Sequence, residues 1–211
     1  MPGQPYSIQI QNNSDSDSQN AIVFQQAPQV PADVHVLAWL SKACHAGTWV
    51  DFNWTVDFNF VWGQEGNLKP GVNYQAGQVI DADLVANNKV TLLYEGGGFK
   101  FGPPGPGPAN GTGSLFISQV PEVPGDGDPE QGSVGIGMSG AGTHVVPTDP
   151  DGGGGIQFTI NPVYWIAFGQ HTKGTVVTQD ILRFPYALHY PTGKFNAIAT
   201  FDGSAWGVSY R

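Results

Sequence analysis

The chain is short of charge, of cations and of cysteine, and it has no long apolar run. Only 12% of its 211 residues are Asp, Glu, Lys or Arg, about half the usual share. Lys and Arg number 8 against 17 acidic residues, giving a net charge of −9. Such a surface repels a phosphate backbone or an anionic lipid on average, so nucleic acid is excluded as an expected partner. The single cysteine, Cys44, excludes an intrachain disulfide, and a chain of this length can build its core without one. No apolar stretch approaches the ~20 residues of a membrane helix, so no transmembrane segment is expected. Met1-Pro2-Gly3-Gln4-Pro5 lacks the basic and apolar regions of a signal peptide. The expected location is the cytoplasm, with non-classical release as the alternative.

Turn formers are abundant instead. The 30 glycines and 17 prolines predict many turns and few long helices. Between them lie short apolar or alternating runs, which predict strands at 6–11, 21–26, 88–95, 114–119, 133–138, 143–146, 156–160, 163–168, 175–178, 195–201 and 205–210. Val34 to Leu40 reads as strand or short helix. The expected fold is all-β: an antiparallel β-sandwich or barrel with many Gly/Pro-rich loops, one domain over residues 1–211. Pro103 to Pro108 reads as a stiff surface connection, since a collagen helix needs many more Gly-X-Y triplets.

The clearest pattern runs from Val50 to Trp62. Val50, Phe52, Trp54, Val56, Phe58, Phe60 and Trp62 alternate with Asp51, Asn53, Thr55, Asp57 and Asn59. Side chains in a strand alternate faces, so one face is predicted buried and the other wet. At ~3.3 Å per residue the run would span ~43 Å, long for one strand. A bulge or bend near Thr55–Asp57, letting the run serve two sheets, is therefore expected.

No catalytic motif stands out. Gly137-Met138-Ser139-Gly140-Ala141 is close to a nucleophile elbow, but its last residue is Ala and no strand–turn–helix context follows. Cys44 and His45 are chain neighbours, which face apart on an extended backbone, and Cys44 reads as a small buried hydrophobe. Asp126, Asp128 and Glu130 sit at alternate positions, as at the start of a calcium loop. An EF-hand would then need Gly and Glu where Gln131 and Gly137 stand. A calcium-type cation is the one cofactor these residues suggest; no organic cofactor is expected. Of the six tryptophans, Trp49, Trp54, Trp62 and Trp206 lie close to Asn, Asp, Gln or Gly. Aromatic faces stacked on sugar rings, with amides and carboxylates reading hydroxyls, hold carbohydrate on many β-sandwiches. Trp54 and Trp62, on the apolar row of the alternating run, are assigned to the core.

Three segments carry a family resemblance. They are Leu37-Ala38-Trp39-Leu40-Ser41-Lys42 leading into the alternating run, then Gly132 to Gly140, then Pro162 to Gly169. In that order they resemble the rhizosphere-expressed, RhiA-like family of root-nodule bacteria, over roughly Tyr6 to Gly174. The resemblance implies an abundant, soluble, cytoplasmic protein linked to growth near plants and to cell-density control, without an established activity. It supplies no catalytic residues.

The leading reading is a non-enzymatic β-sandwich that binds a small molecule or carbohydrate. Its candidate ligand-binding residues are Trp39, Trp165, Arg183, His189, Asp51 and Asn53, with Asp126, Asp128 and Glu130 for a metal. One alternative is an enzyme whose site is assembled from distant strands, with His144, Asp149, Arg183 and His189 as its polar groups. The other is a membrane-active β protein, which would need two adjacent alternating segments where only one is present.

Overall fold

The computed structural model describes residues 3–15, 19–26, 33–108, 113–151, 155–160 and 163–211. Pro162 and the glycines at 152–154 lie outside them. The described residues form four open sheets with no closed barrel among them. The first, in order, is β18 (Trp206–Tyr210), β17 (Asn196–Phe201), β1 (Pro5–Asn12) and β5 (Thr48–Thr55). The second is β16 (Arg183–Leu188), β14 (Val163–Gly169), β2 (Gln19–Gln26) and β4 (Leu40–Cys44). The third has six strands: β15 (Val176–Val177), β3 (His35–Leu37), β12 (Ala141–Pro147), β11 (Ser133–Met138), β6 (Phe58–Gly63) and β7 (Gln78–Ala82). The fourth is β13 (Ile156–Thr159), β10 (Ser114–Gln119), β8 (Lys89–Glu95) and β9 (Gly98–Phe101). Neighbours are antiparallel except for β1 with β17 and β8 with β10. The helical segment among the described residues is one 3₁₀ turn, Gln179–Ile181.

The all-β expectation holds, and the layering explains which strands alternate. Ile8, Ile10, Phe52, Ala199 and Phe201 of the β1 sheet pack on Val23, Ile166 and Phe168 of the β2 sheet. Phe60, Val134 and Ile136 of the six-stranded sheet pack on Val90, Leu92, Leu115 and Ile117 of the β8 sheet. The β2 and six-stranded sheets are also covered on their second faces, the one over Ala38, Val177 and Leu182, the other under Leu68 and Tyr74. Strands buried on both sides read as continuous apolar runs, and β2, β11 and β14 do. The β1 sheet keeps one face in water, and its strands alternate.

The alternating run breaks where its length predicted. β5 ends at Thr55 and β6 begins at Phe58, so Val56 and Asp57 carry the chain from the β1 sheet into the six-stranded sheet. The tip of the β11–β12 hairpin holds that crossing. Met138 pairs with Ala141 across a two-residue turn of Ser139 and Gly140, at φ of 50° and 72°. Two positive φ values suit the twist of a tight hairpin, at the cost of a left-handed serine. Ser139 Oγ accepts a hydrogen bond from the Thr55 N–H at 2.9 Å and donates one to the Thr55 carbonyl at 2.8 Å. Its own N–H donates to the Asp57 carbonyl at 2.9 Å. Thr55 is still paired with Pro5 of β1, so this one side chain caps the open edge of β5 at its last residue. The context is strand–turn–strand with the hydroxyl occupied by backbone, which is no nucleophile elbow.

Past the crossing the polar row changes character. Asp51 and Asn53 are exposed, whereas Asn59 is 1% exposed and its Oδ1 accepts the Gly140 N–H at 3.1 Å. Asn59 therefore does not belong to the outer face that strict alternation assigned it, because β6 lies in a sheet covered on both sides. Replacing Ser139 by Ala should lower unfolding free energy by about 0.5–1.5 kcal/mol, the net worth of an ordinary hydrogen bond, since the clasp is open to water. Urea titration checks this, and a wild-type midpoint for Ser139→Ala would show that the hydroxyl does not hold the crossing.

Candidate functional site

The wet face of the β1 sheet is built by period two. On β5, Val50, Phe52 and Trp54 turn inward while Trp49, Asp51 and Asn53 turn out. Register then forms cross-strand rows: Trp49, Gln11 and Thr200; Asp51, Gln9 and Ile198; Asn53, Ser7 and Asn196.

These side chains bond to one another in a fixed direction. Thr200 Oγ1 donates to Gln11 Oε1 at 3.2 Å, Gln11 Nε2 to Gln9 Oε1 at 2.7 Å, and Gln9 Nε2 to Asp51 Oδ1 at 2.9 Å. An ionised carboxylate only accepts, so Asp51 orients both amides, and the chain of bonds ends on its charge. In the next row Ser7 Oγ donates to Asn196 Oδ1 at 2.7 Å, which turns the Asn196 amino group away as a donor. Lys42 Nζ donates to the Asp51 carbonyl at 2.6 Å and sits 5.3 Å from the Phe52 ring centroid.

Two grooves run along this face. One, of about 630 Å³, lies between Tyr6, Asn53, Thr55, Ser139 and Phe195, with the buried Trp54 at its floor. The other, of about 550 Å³, is lined by Gln9, Asp51, Ile198 and Arg211. Ser7, Asn53 and Asn196 line both, so the grooves adjoin at that row. Trp49, 63% exposed, stands at the β5 end beyond Asp51.

Of the six residues predicted to bind ligand, Asp51 and Asn53 lie on this face. Trp39 is fully buried, edge-on to Trp54 at 5.5 Å, and its Nε1 donates to the Met138 carbonyl at 3.0 Å. Trp165 is half-buried on β14 and stacked on Phe24 at 6.0 Å. Arg183 is exposed on β16, its guanidinium 5.5 Å from the Phe184 ring centroid. His189 follows that strand, its backbone N–H donating to Tyr210 Oη at 2.9 Å. Trp49 is the residue that sequence reasoning passed over. The alternation carries one step back from Asp51 onto Trp49, so the signal was there.

Asp126, Asp128 and Glu130 are exposed on a loop. Asp128 Oδ1 accepts the Glu130 N–H at 2.8 Å, and Glu130 Oε2 accepts the Tyr94 hydroxyl at 2.5 Å. Among the described residues no three His, Cys, Asp or Glu side chains gather closely enough to hold a metal ion. The four residues of the distributed enzyme reading do not bond or pair with one another. His144 is buried in β12 beside the Thr143 hydroxyl at 3.1 Å, whereas Asp149, Arg183 and His189 are exposed.

The RhiA family's sequence profile matches residues 3–211. The chain belongs to the RhiA family. It is 32% identical to Protein RhiA of Rhizobium leguminosarum bv. viciae over 214 aligned positions, covering 98% of this chain and 87% of that one. No solved structure matches. Among the described residues of this RhiA-family chain, no helix is long and apolar enough to cross a membrane. The glycines in its Gly132–Gly140 segment have a physical cause. A Cβ at Gly135 would collide with the His144 carbonyl, and one at Gly137 with the Ala141 carbonyl, so β11 can approach β12 only without side chains there.

His144 sets a pH dependence. Burial pushes its pKa down from 6.5 to about 4, and the neighbouring Gln25 backbone offsets this only in part. The unfolded chain binds the proton more readily, so the stability from the neutral ring is complete above pH 6.5. It falls as pH drops from there toward 4. A shift of that size corresponds to about 3 kcal/mol. Urea unfolding between pH 7 and 4 should show this loss, and His144→Gln should flatten it whatever its effect at pH 7. An unchanged slope in that variant would assign the loss elsewhere.

Proposed function

We propose that this RhiA-family protein binds a hydroxyl-bearing small molecule or glycan on the outer face of the β1 sheet, without transforming it. The observation that carries this reading is the oriented chain of hydrogen bonds ending on Asp51, beside the exposed ring of Trp49. Asp51 can only accept, the Asn196 amino group can only donate, and Asn53 can do both. A vicinal diol offers that mixture of donors and acceptors. Because the amides are already held by one another, a ligand finds them ordered and loses little side-chain entropy in binding. The Trp49 ring adds an apolar platform for the C–H face of a sugar.

Glycan-array binding and thermal shift with sugars test the reading. Trp49→Ala, an exposed substitution, should leave the melting temperature unchanged and weaken binding about tenfold, the scale of one aromatic contact. Asp51→Asn removes the charge that orients the amides and should weaken binding by at least as much. Trp165→Ala and Arg183→Ala should bind as wild type. A flat response across broad panels, or loss of binding confined to the Trp165 and Arg183 variants, would overturn the assignment.

A further inference from the structure

We infer that the ligand of this face, granted the binding reading above, is an uncharged linear oligosaccharide laid along β5 from Trp49 to the groove at Thr55, in preference to a single sugar or a polyanion. Trp49, Asp51, Asn53 and Thr55 point outward at steps of two residues, each about 6.7 Å, so the row extends about 20 Å. One sugar ring reaches across one such step. The two grooves meet at the row of Ser7, Asn53 and Asn196, so a ligand longer than one ring can reach both.

The chemistry along that row is ordered. It begins with an exposed aromatic platform at Trp49. Next come the acceptor Asp51 and, one row on, the amino group of Asn196 and the amide of Asn53. It ends at the Thr55–Ser139 clasp beside Phe195, while the Tyr6 ring turns inward with Trp54. An aromatic platform at one end followed by acceptors and donors suits a ligand that repeats hydroxyls and C–H faces along its length.

Asp51 is the one carboxylate side chain in the three rows, Lys42 lies on its flank, and Arg211 lines the far side of the groove. The face is close to balanced, while the chain as a whole carries −9. A polyanionic glycan would gain little locally and be repelled at range.

Calorimetry with the full-length protein separates the outcomes. The probes are glucose, xylose and mannose, the cello-, xylo- and manno-oligosaccharides of two to six units, and oligogalacturonates of matched length. In at least one neutral series affinity should rise tenfold or more from one unit to four and then level off. Trp49→Ala should abolish the gain with length while leaving the melting temperature unchanged. Oligogalacturonates should bind more weakly than the neutral series. Equal affinity for monomer and hexamer would overturn the extended ligand while leaving the binding face intact, and tighter oligogalacturonate binding would overturn its neutrality. No heat from any series, neutral or charged, would overturn both the inference and the reading on which it rests.

Discussion

The Ser139 hydroxyl, bonded both to the N–H and to the carbonyl of Thr55, lets one run of chain serve two sheets. A strand that leaves its sheet exposes backbone groups that must find partners, since an orphaned buried group costs on the order of a whole hydrogen bond. Here the β11–β12 hairpin tip supplies them. The Ser139 N–H reaches the Asp57 carbonyl and the Gly140 N–H reaches Asn59, so the crossing is held on both sides of Val56. The N-terminal segment closes the other flank, with the Val56 N–H donating to Gln4 and the Gly3 N–H to Asp57 Oδ1. Because the run crosses, its first half belongs to a sheet with one wet face and its second half to a sheet with none.

That division separates structure from candidate function within thirteen residues. β6 supplies Phe60 and Val61 to two different clusters. β5 turns Phe52 and Trp54 inward and presents Trp49, Asp51 and Asn53 to solvent. The wet face is unlike a merely solvated one in that its side chains bond to each other. Thr200, Gln11, Gln9 and Asp51 form a chain whose direction the carboxylate fixes. The β1–β17 pairing that brings Thr200 and Asn196 beside β1 is parallel and joins the two ends of the chain.

Local pattern made much of this legible. Ser114–Gln119 and Ser133–Met138 are strands with the bounds their apolar runs predict, and the length of the alternating run placed its break. What was missed depends on distant partners. β16 contains Pro185, which reads as strand-breaking yet is tolerated on the edge of its sheet. β7 is a short strand whose place is set by pairing with β6. Val34 to Leu40 divides at Ala38 and Trp39 because the chain passes there from the six-stranded sheet to the β2 sheet, burying Trp39 in the process. A tryptophan in an apolar stretch without alternation gives no local sign of which way it points. On β5, by contrast, alternation does give that sign, and it points Trp49 outward.

On the reading proposed above, this RhiA-family protein meets its ligand on the outer face of the β1 sheet. Side-chain NMR of the tryptophan indole N–H and of the Asn and Gln amides, recorded during titration with a neutral oligosaccharide, tests it most directly. Shifts are expected at Trp49, Gln9, Gln11, Asn53 and Asn196, with the indoles of Trp39 and Trp165 unmoved. Shifts centred on Trp165, or none at the β5 face while calorimetry reports binding, would contradict it.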